Sequence, residues 1–277
     1  CSIDAHNHRT HRDPGNPNPL PEGVRLLTHW LADGGYFTAN VRQLPKSVGF
    51  RGRGKTDWNF SFEGKAFDSS KWDDLKQNQP FYAQVNFSET HRRWHGPEQT
   101  DPNNVTPPPY YPDHPVVRKD WARYLDDVAE LDRKIGKILE QLETDGLAEN
   151  TVVMFVGDHG RAHVRGKQWC YDSGLHIPMI LRWPKGIPAP PQIKPGARED
   201  RLVESIDWAP TMLAIAGLEK PEKMQGRVFL GEHADPPAKY VFGMRDRCDE
   251  TVLNIRTVRG ERYRYIRNGL PERPFLE

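Results

Sequence analysis

The stretch VVMFVGDHGRAHVRGKQWCYDSGLHIPMILRWP, residues 152–184, places a polar loop rich in basic residues between two apolar runs. Residues 151–156 and 177–183 are short and apolar, so each run predicts a buried strand. Asp-His-Gly follows the first strand directly. Loops beyond the carboxyl ends of strands meet at one place in open α/β sheets, so this loop is a candidate for ligand binding.

A long amphipathic helix is predicted just before the first of these strands. Its apolar positions recur at intervals of three and four residues, and Gly146 is placed to end it. The apolar face consists of Trp121, Tyr124, Leu125, Val128, Leu131, Ile135, Ile138, Leu139 and Leu142. A helix that leads into a strand indicates that the two alternate, and therefore a parallel or mixed sheet covered by helices.

Shorter segments extend the predicted fold on both sides. Periodicity predicts a helix that begins near Val24 and ends at the following Asp-Gly-Gly, and another helix within SIDWAPTMLAIAG. Residues 36–41 and 81–87 predict strands because they are apolar, aromatic and β-branched. The C-terminal tail predicts short antiparallel strands with a turn at residues 259–261.

Composition argues against two classes of partner. The 277 residues carry a formal net charge of only +1, which gives no general attraction to nucleic acid or to an anionic membrane surface. The longest apolar runs fall far short of the roughly 20 residues that cross a bilayer, so no membrane insertion is expected. Three cysteines are too few and too scattered for a disulfide framework or a zinc site.

Asp158 and His159 are candidate ligands of a divalent cation. Both side chains can reach one ion if the backbone turns sharply after the strand, and Gly157 and Gly160 allow such a turn. The alternative is structural, with an aspartate that caps the turn beside a solvent-facing histidine. The triplet alone does not decide between the two.

Three further side chains are candidates for binding or transforming an anion. Lys167 supplies a point charge suited to a tetrahedral oxyanion. Lys55 follows a glycine in an irregular loop, so its ammonium can come close to a bound anion. His91 follows a predicted strand and can donate a proton to a leaving group, although a lone histidine is more often structural. For Arg161 and Arg165 we favour a solvated basic loop.

Several segments, taken in order, resemble the type I sulfatases, and most closely the heparan N-sulfatase (sulfamidase) branch. The later segments are TVVMFVGDHG, RGKQWCYDSGLHIPMILRWPKG, SIDWAPTMLAIAG, KMQGRVFLG and RTVRGERYRYIRN. The earlier ones are GYFTANV, GRGKTDWNF and the region from NFSETHRRWHG to KILEQLE. The resemblance covers nearly the whole chain. Each motif alone is loose, and the resemblance depends on all of them occurring in the same order as in the family.

The resemblance implies an alkaline-phosphatase-like α/β fold: a mixed, mainly parallel sheet flanked by helices, with a small C-terminal antiparallel sheet. The core would span residues 1–235, incomplete at its N-terminus, and residues 236–277 would begin a small α+β subdomain. The implied activity is hydrolysis of sulfate esters or sulfamates, on a glycosaminoglycan-type saccharide. The implied cofactors are one divalent cation, usually calcium, and a formylglycine made from Cys or Ser.

The family's site residues fall on the candidates already named. Asp158 and His159 match metal-ligand positions, and Lys167 matches a lysine that contacts the sulfate. His91 matches a histidine at the sulfate or the leaving-group oxygen. Lys55 lies in the segment that reaches the nucleophile and the sulfate.

Three departures from the family pattern stand out. His159 replaces the usual Asn, which moves the metal preference from calcium toward manganese or zinc. Asp57 replaces a histidine after the Gly-Lys segment. Residues 1–5 begin like the nucleophile motif C-x-P-S-R but lack its Pro and Arg. We therefore expect the formylglycine outside the chain as given; a helix deleted after Ser2 is the rival interpretation.

Other interpretations stay open. A phosphonate or phosphate monoester hydrolase of the same superfamily is favoured by His159, and a catalytically inactive saccharide-binding relative is the third possibility. Arg245 and Arg247 are candidates for binding a uronate or second sulfate, although we slightly favour an ordinary surface network with Asp246, Asp249 and Glu250. His8 is a further candidate for substrate contact. The resemblance implies a periplasmic, secreted or lysosomal location, and it leaves the oligomeric state unknown.

Overall fold

The computed structural model describes residues 19–56, 58, 60–248 and 251–273. The helices in these ranges are α1 (Leu27–Asp33), α2 (Pro115–Thr144), α3 (Asp172–Leu175) and α4 (Trp208–Ile215). The strands are β1 (Phe37–Gln43), β2 (Ser69–Lys71), β3 (Phe81–Gln84), β4 (Val153–Val156), β5 (Met179–Arg182), β6 (Val241–Cys248), β7 (Thr251–Arg259) and β8 (Arg264–Asn268). Helices α1, α2 and α4 confirm the predicted helices.

Helix α2 ends where the sequence predicts. Gly146 adopts a left-handed backbone with φ of 72°, which favours glycine. Its N–H donates to the carbonyl of Glu143, and the N–H of Leu147 donates to the carbonyl of Leu142 at 2.9 Å. This arrangement satisfies the last carbonyls of the helix and turns the chain toward β4.

The first sheet is parallel, with strand order β2-β1-β3. Ala39 and Val41 on the central strand β1 are fully buried, and they pack with Trp72 and with Leu142 of α2 in the main apolar cluster. The indole of Trp72 also donates a hydrogen bond of 2.8 Å to Asp145. Because β1 and β3 are parallel, the loops that follow them leave from the same edge of the sheet. The packing of α2 on β1 holds this edge in place.

The second sheet pairs β4 and β5 in antiparallel register, from Val153 opposite Arg182 to Val156 opposite Met179. The sheets together are therefore mixed, as the sequence predicts. Strand β3 is shorter than predicted, because the chain leaves β1 after Gln84 and Asn86 instead accepts a backbone hydrogen bond from Arg53.

The C-terminal strands β6, β7 and β8 form a third, antiparallel sheet in that order. The predicted turn after β7 is confirmed, since the N–H of Gly260 donates to the carbonyl of Tyr263. Leu253 and Ile255 of β7 pack against Trp169 and Cys170, so one face of this sheet supports the loop between β4 and β5. Across the described ranges, every helix is too short or too polar to cross a membrane.

Candidate active site

His91 and Lys167 meet although they lie 76 residues apart in the chain. The ammonium nitrogen of Lys167 lies 3.4 Å from Nε2 of His91. Nδ1 of His91 contacts the carbonyl of Arg92, and because a carbonyl only accepts, the proton of the ring belongs on Nδ1. The Nε2 lone pair therefore faces the ammonium, and the two groups form one cationic, proton-accepting unit.

The loop that carries Lys167 is shaped by its own backbone. The N–H groups of His163 and Lys167 both donate to the carbonyl of Arg161 at 2.8 Å, and that of Gly166 donates to His163. A Cβ at Gly166 would lie 2.1 Å from the Arg161 carbonyl oxygen, so only glycine fits there. Such a loop holds its lysine in place without depending on side-chain contacts.

Asp158 and His159 form a donor pair at the end of β4. Nδ1 of His159 lies 2.8 Å from the carbonyl of Gly160, so this nitrogen carries the proton and donates. Nε2 is left as an acceptor 3.6 Å from a carboxylate oxygen of Asp158. A histidine whose other nitrogen donates to a carbonyl is typical of a metal ligand, and a lone pair facing a carboxylate favours a shared cation between them.

The two side chains supply only part of a metal shell. Within the described ranges there is no cluster of three or more His, Cys, Asp or Glu side chains that could hold an ion. The Asp158 side chain is 76% exposed, so a cation bound to its carboxylate could take further ligands from solvent or substrate. Calcium takes about six to eight oxygen ligands and zinc about four. The chemistry of the donor pair fits a divalent cation, and both the binding of a metal here and its identity stay predictions.

Lys55 lies in a loop that folds back along β1. A Cβ at Gly52 would lie 2.1 Å from the carbonyl oxygen of Val41, and the carbonyl of Gly54 accepts a hydrogen bond from the Asn40 side chain. The loop is also tied to the segment after β3 by the bond from Arg53 to Asn86. Lys55 and His91 therefore both follow the carboxyl ends of strands in the parallel sheet.

Arg245 lies on β6 and is buried rather than on the surface. Its guanidinium carbon is 3.9 Å from the centre of the Trp169 ring, and Asp246 binds Arg256 instead of Arg245. Asp246 is thus not the partner of Arg245, Asp249 and Glu250 lie outside the described residues, and contact between Arg245 and a saccharide stays a prediction. His8, Cys1 and Asp57 lie outside the described residues.

Cys170 does not fit the role of a formylglycine precursor. It is 3% exposed in the apolar cluster with Trp169, Leu253 and Ile255, and burial raises the pKa of its thiol. A nucleophile must face the substrate, so Cys170 is not a candidate for this group. The formylglycine expected outside the chain stays a prediction.

Asp120 on α2 joins the two loops that carry His91 and Lys167, and sequence reasoning missed it. Its carboxylate binds the guanidinium of Arg92, accepts from the indole of Trp94 at 3.0 Å, and lies 3.3 Å from Nε2 of His163. The signal was present as charged positions every seven residues on one face of the helix.

Two more residues of α2, at the same seven-residue spacing, hold the segment of residues 89–96. Asp127 is fully buried and accepts hydrogen bonds of 2.7 and 2.9 Å from the backbone N–H groups of His95 and Gly96. Lys134 pairs with Glu89 at 2.5 Å. We call Asp120, Asp127 and Lys134 the α2 anchors. They fix residues 89–96, and with them His91, against the helix.

His163 is enclosed by aromatic rings and is neutral at physiological pH. The imidazole stacks on Trp121, with ring centres 4.5 Å apart, and also on Trp94. Burial lowers its pKa to about 4, against the opposing attraction of Asp120. Burial prevails because Asp120 is already bound to Arg92, whose positive charge also disfavours a protonated His163.

The buried His163 predicts a loss of stability in acid. Between pH 6.5 and about 4 the unfolded chain protonates this histidine while the folded chain does not, so stability falls as the pH falls, by up to about 3 kcal/mol. His163→Phe keeps an aromatic ring and removes the titration. Urea unfolding at pH 7.5 and 5.0 should therefore show a smaller pH effect in the variant. An equal pH effect in both proteins would refute this assignment.

Comparison with known proteins places the chain in a family. The sulfatase family model matches residues 1–218. An ulvan-active sulfatase from Formosa agariphila is 32% identical over 299 residues, which cover 92% of this chain and 47% of the relative. The chain thus spans about half the length of this relative.

Solved structures agree on the fold. The Bacteroides fragilis protein yidJ has a TM-score of 0.57 and 25% identity, covering 71% of this chain and 46% of its own. A structure solved in complex with its substrate D-glucosamine-2-N,6-O-disulfate has a TM-score of 0.60 at 16% identity, covering 90% of this chain and 74% of its own. The predicted alkaline-phosphatase-like fold is confirmed, and the chain belongs to the type I sulfatase family.

Proposed function

We propose that this chain carries the sulfate-binding side of an enzyme that hydrolyses sulfate esters or sulfamates of a saccharide. The observation that supports the proposal is the contact of Lys167 with His91, at the edge where the loops after β3 and β4 meet. The Asp158 and His159 donor pair begins the loop that carries Lys167. Hydrolysis of a sulfate ester needs positive charge beside the sulfuryl oxygens and a group that passes a proton to the leaving group, and Lys167 and His91 are of the types that supply these.

Lys167 would bind a sulfuryl oxygen. Its backbone is fixed by the bond to Arg161, and its ammonium has protons beyond the one directed at His91. An ammonium already held in place loses little entropy when the substrate binds, so more of its attraction is available as charge builds on the oxygen.

His91 would exchange a proton with the leaving group. The contact of Nδ1 with a carbonyl leaves Nε2 as the nitrogen that gains and loses the proton, and Nε2 is the atom beside Lys167. A divalent cation held by Asp158 and His159 would act as a Lewis acid toward the sulfate group.

The substrate class is proposed from the relatives. One relative is named for its activity on ulvan, and one structural neighbour holds a glucosamine disulfate as its substrate. We propose a sulfated saccharide as the substrate class that is compatible with both names. Within that class a glycosaminoglycan remains our specific proposal, as does the sulfamidase branch.

Side-by-side assays test the proposed activity. The full-length gene product is expected to release sulfate from glucosamine 6-sulfate or N-sulfoglucosamine, in a reaction abolished by a chelator and restored by calcium or manganese. Phosphate and phosphonate monoesters are assayed under the same conditions. Faster turnover of the phosphorus esters would replace the sulfatase proposal by the phosphatase one, and saccharide binding without any turnover would indicate an inactive relative.

A further inference from the structure

Arg165, two residues before Lys167, lies against two tyrosine rings. Its guanidinium carbon lies 4.2 Å from the centre of the Tyr171 ring and 5.3 Å from that of Tyr110. The side chain is nevertheless exposed. Arg165 is thus exposed, as a residue of a solvated loop should be, but the two tyrosine rings restrict the position of its guanidinium.

The backbone at Arg165 is strained. Its φ is 65°, a left-handed conformation that glycine or asparagine adopts more easily than arginine. The carbonyl of Arg165 accepts a hydrogen bond from the hydroxyl of Ser173, which holds this conformation. Strain of this kind often occurs where a side chain has a binding role, so Arg165 is a place to look for a ligand.

Arg161 contacts the same tyrosine. Its guanidinium donates to the hydroxyl of Tyr110 and lies 5.0 Å from the centre of the Trp121 ring. Nε of Arg161 is buried and has no hydrogen-bond partner among the described residues. Tyr110 thus has one guanidinium at its hydroxyl and another at its ring.

These positive charges are not neutralised locally. Among the ion pairs of the described ranges, none joins Arg161 or Arg165 to a carboxylate. Asp172, the acidic residue next to Tyr171, instead binds Arg259 and Arg264. Two cations with no acidic partner among the described residues, in the same loop as Lys167, create a potential that favours an anion at this loop.

We propose that Arg165, supported by Tyr110 and Arg161, forms a second anion subsite that binds a further sulfate or a uronate carboxylate of the same saccharide. The inference rests on the proposed function, since it places the second anion next to the sulfate held by Lys167. A planar guanidinium fits either oxyanion with two parallel hydrogen bonds. Substrates with two anionic groups are then preferred over those with one.

Arg165→Asn tests the subsite without straining the backbone, because asparagine accepts the left-handed conformation. The probes are D-glucosamine-2-N,6-O-disulfate and glucosamine 6-sulfate, titrated calorimetrically. Affinity for the disulfate is expected to fall about tenfold to a hundredfold, with little change for the monosulfate. Arg165→Lys keeps the charge but not the fork, so an intermediate loss is expected. A monosulfated disaccharide with a uronate distinguishes carboxylate from sulfate at the subsite.

Arg262→Asn is the matched control. Arg262 also lies over a tyrosine, 5.1 Å from the ring centre of Tyr263, but in the turn between β7 and β8. Equal losses for both probes in Arg165→Asn, no loss for either, or an equal loss in the control would overturn the subsite. Wild-type protein that binds both probes equally would do so too. Disulfate preference in a protein that hydrolyses no sulfate ester would refute the proposed activity but not the subsite.

Discussion

Replacing Lys167 with methionine is expected to lower kcat/KM for a sulfate ester by about a hundredfold to a thousandfold. Methionine keeps an unbranched side chain in the same backbone loop, while the positive charge beside His91 is lost. The sulfuryl oxygens then lose a fixed cation when their charge grows, so most of the effect should appear in kcat rather than KM. Steady-state kinetics of the full-length gene product measures both constants.

Lys185→Met is the control for this variant, because Lys185 is an exposed lysine in the loop after β5. Its kinetic constants should match those of the wild type. If Lys167→Met kept its kcat/KM within about twofold, the contact between Lys167 and His91 would have no part in catalysis, and the proposed function would lose its main support.

Gly160→Ala is expected to destabilise the protein by about 3 kcal/mol and to abolish cation binding at the end of β4. A Cβ at Gly160 would lie 1.9 Å from the carbonyl oxygen of Ser173 and 2.6 Å from the Cα of Gly174. Both obstacles are backbone atoms, so one of the two segments must move. The movement would separate the Asp158 and His159 donor pair and break the 2.8 Å bond from Gly160 to Gly174.

Urea unfolding and calorimetric titration with calcium and manganese measure the two effects. Gly136→Ala provides the contrast, since a Cβ at this position in α2 meets nothing within 4 Å. It should stabilise the protein by about 1 kcal/mol, because alanine favours helix more than glycine. A Gly160→Ala protein as stable as the wild type, with unchanged metal affinity, would show that this loop adapts and that the close packing is not required.

The elements with strong periodicity were predictable from sequence, and those fixed by distant partners were not. Helix α2 was predicted because its apolar positions and its terminal glycine act locally. The end of β3 at Gln84 was not, because it depends on Arg53 capturing Asn86 from another loop. The local sequence pattern does not show that a distant loop will form a backbone hydrogen bond with the end of a predicted strand.

The candidate site divides in the same way. Asp158, His159, Lys167 and His91 could be chosen because they follow strands and carry the right chemistry. Their pairing into His91 with Lys167, and Asp158 with His159, needed coordinates. Arg165 was assigned to solvent because nothing in the sequence indicates that the rings of Tyr110 and Tyr171 lie close to its guanidinium.

The spacing of the α2 anchors limits how this protein can change in length. Each residue inserted into a helix turns everything beyond it by about 100°, so an insertion between Asp120 and Lys134 would carry one anchor away from residues 89–96. Beyond Lys134, extra residues would leave the three anchors in place but would rotate Leu142 away from the apolar cluster that it forms with β1. The length of α2 is therefore constrained along the whole helix, before Lys134 because a change displaces His91 and after Lys134 because it disrupts the apolar core.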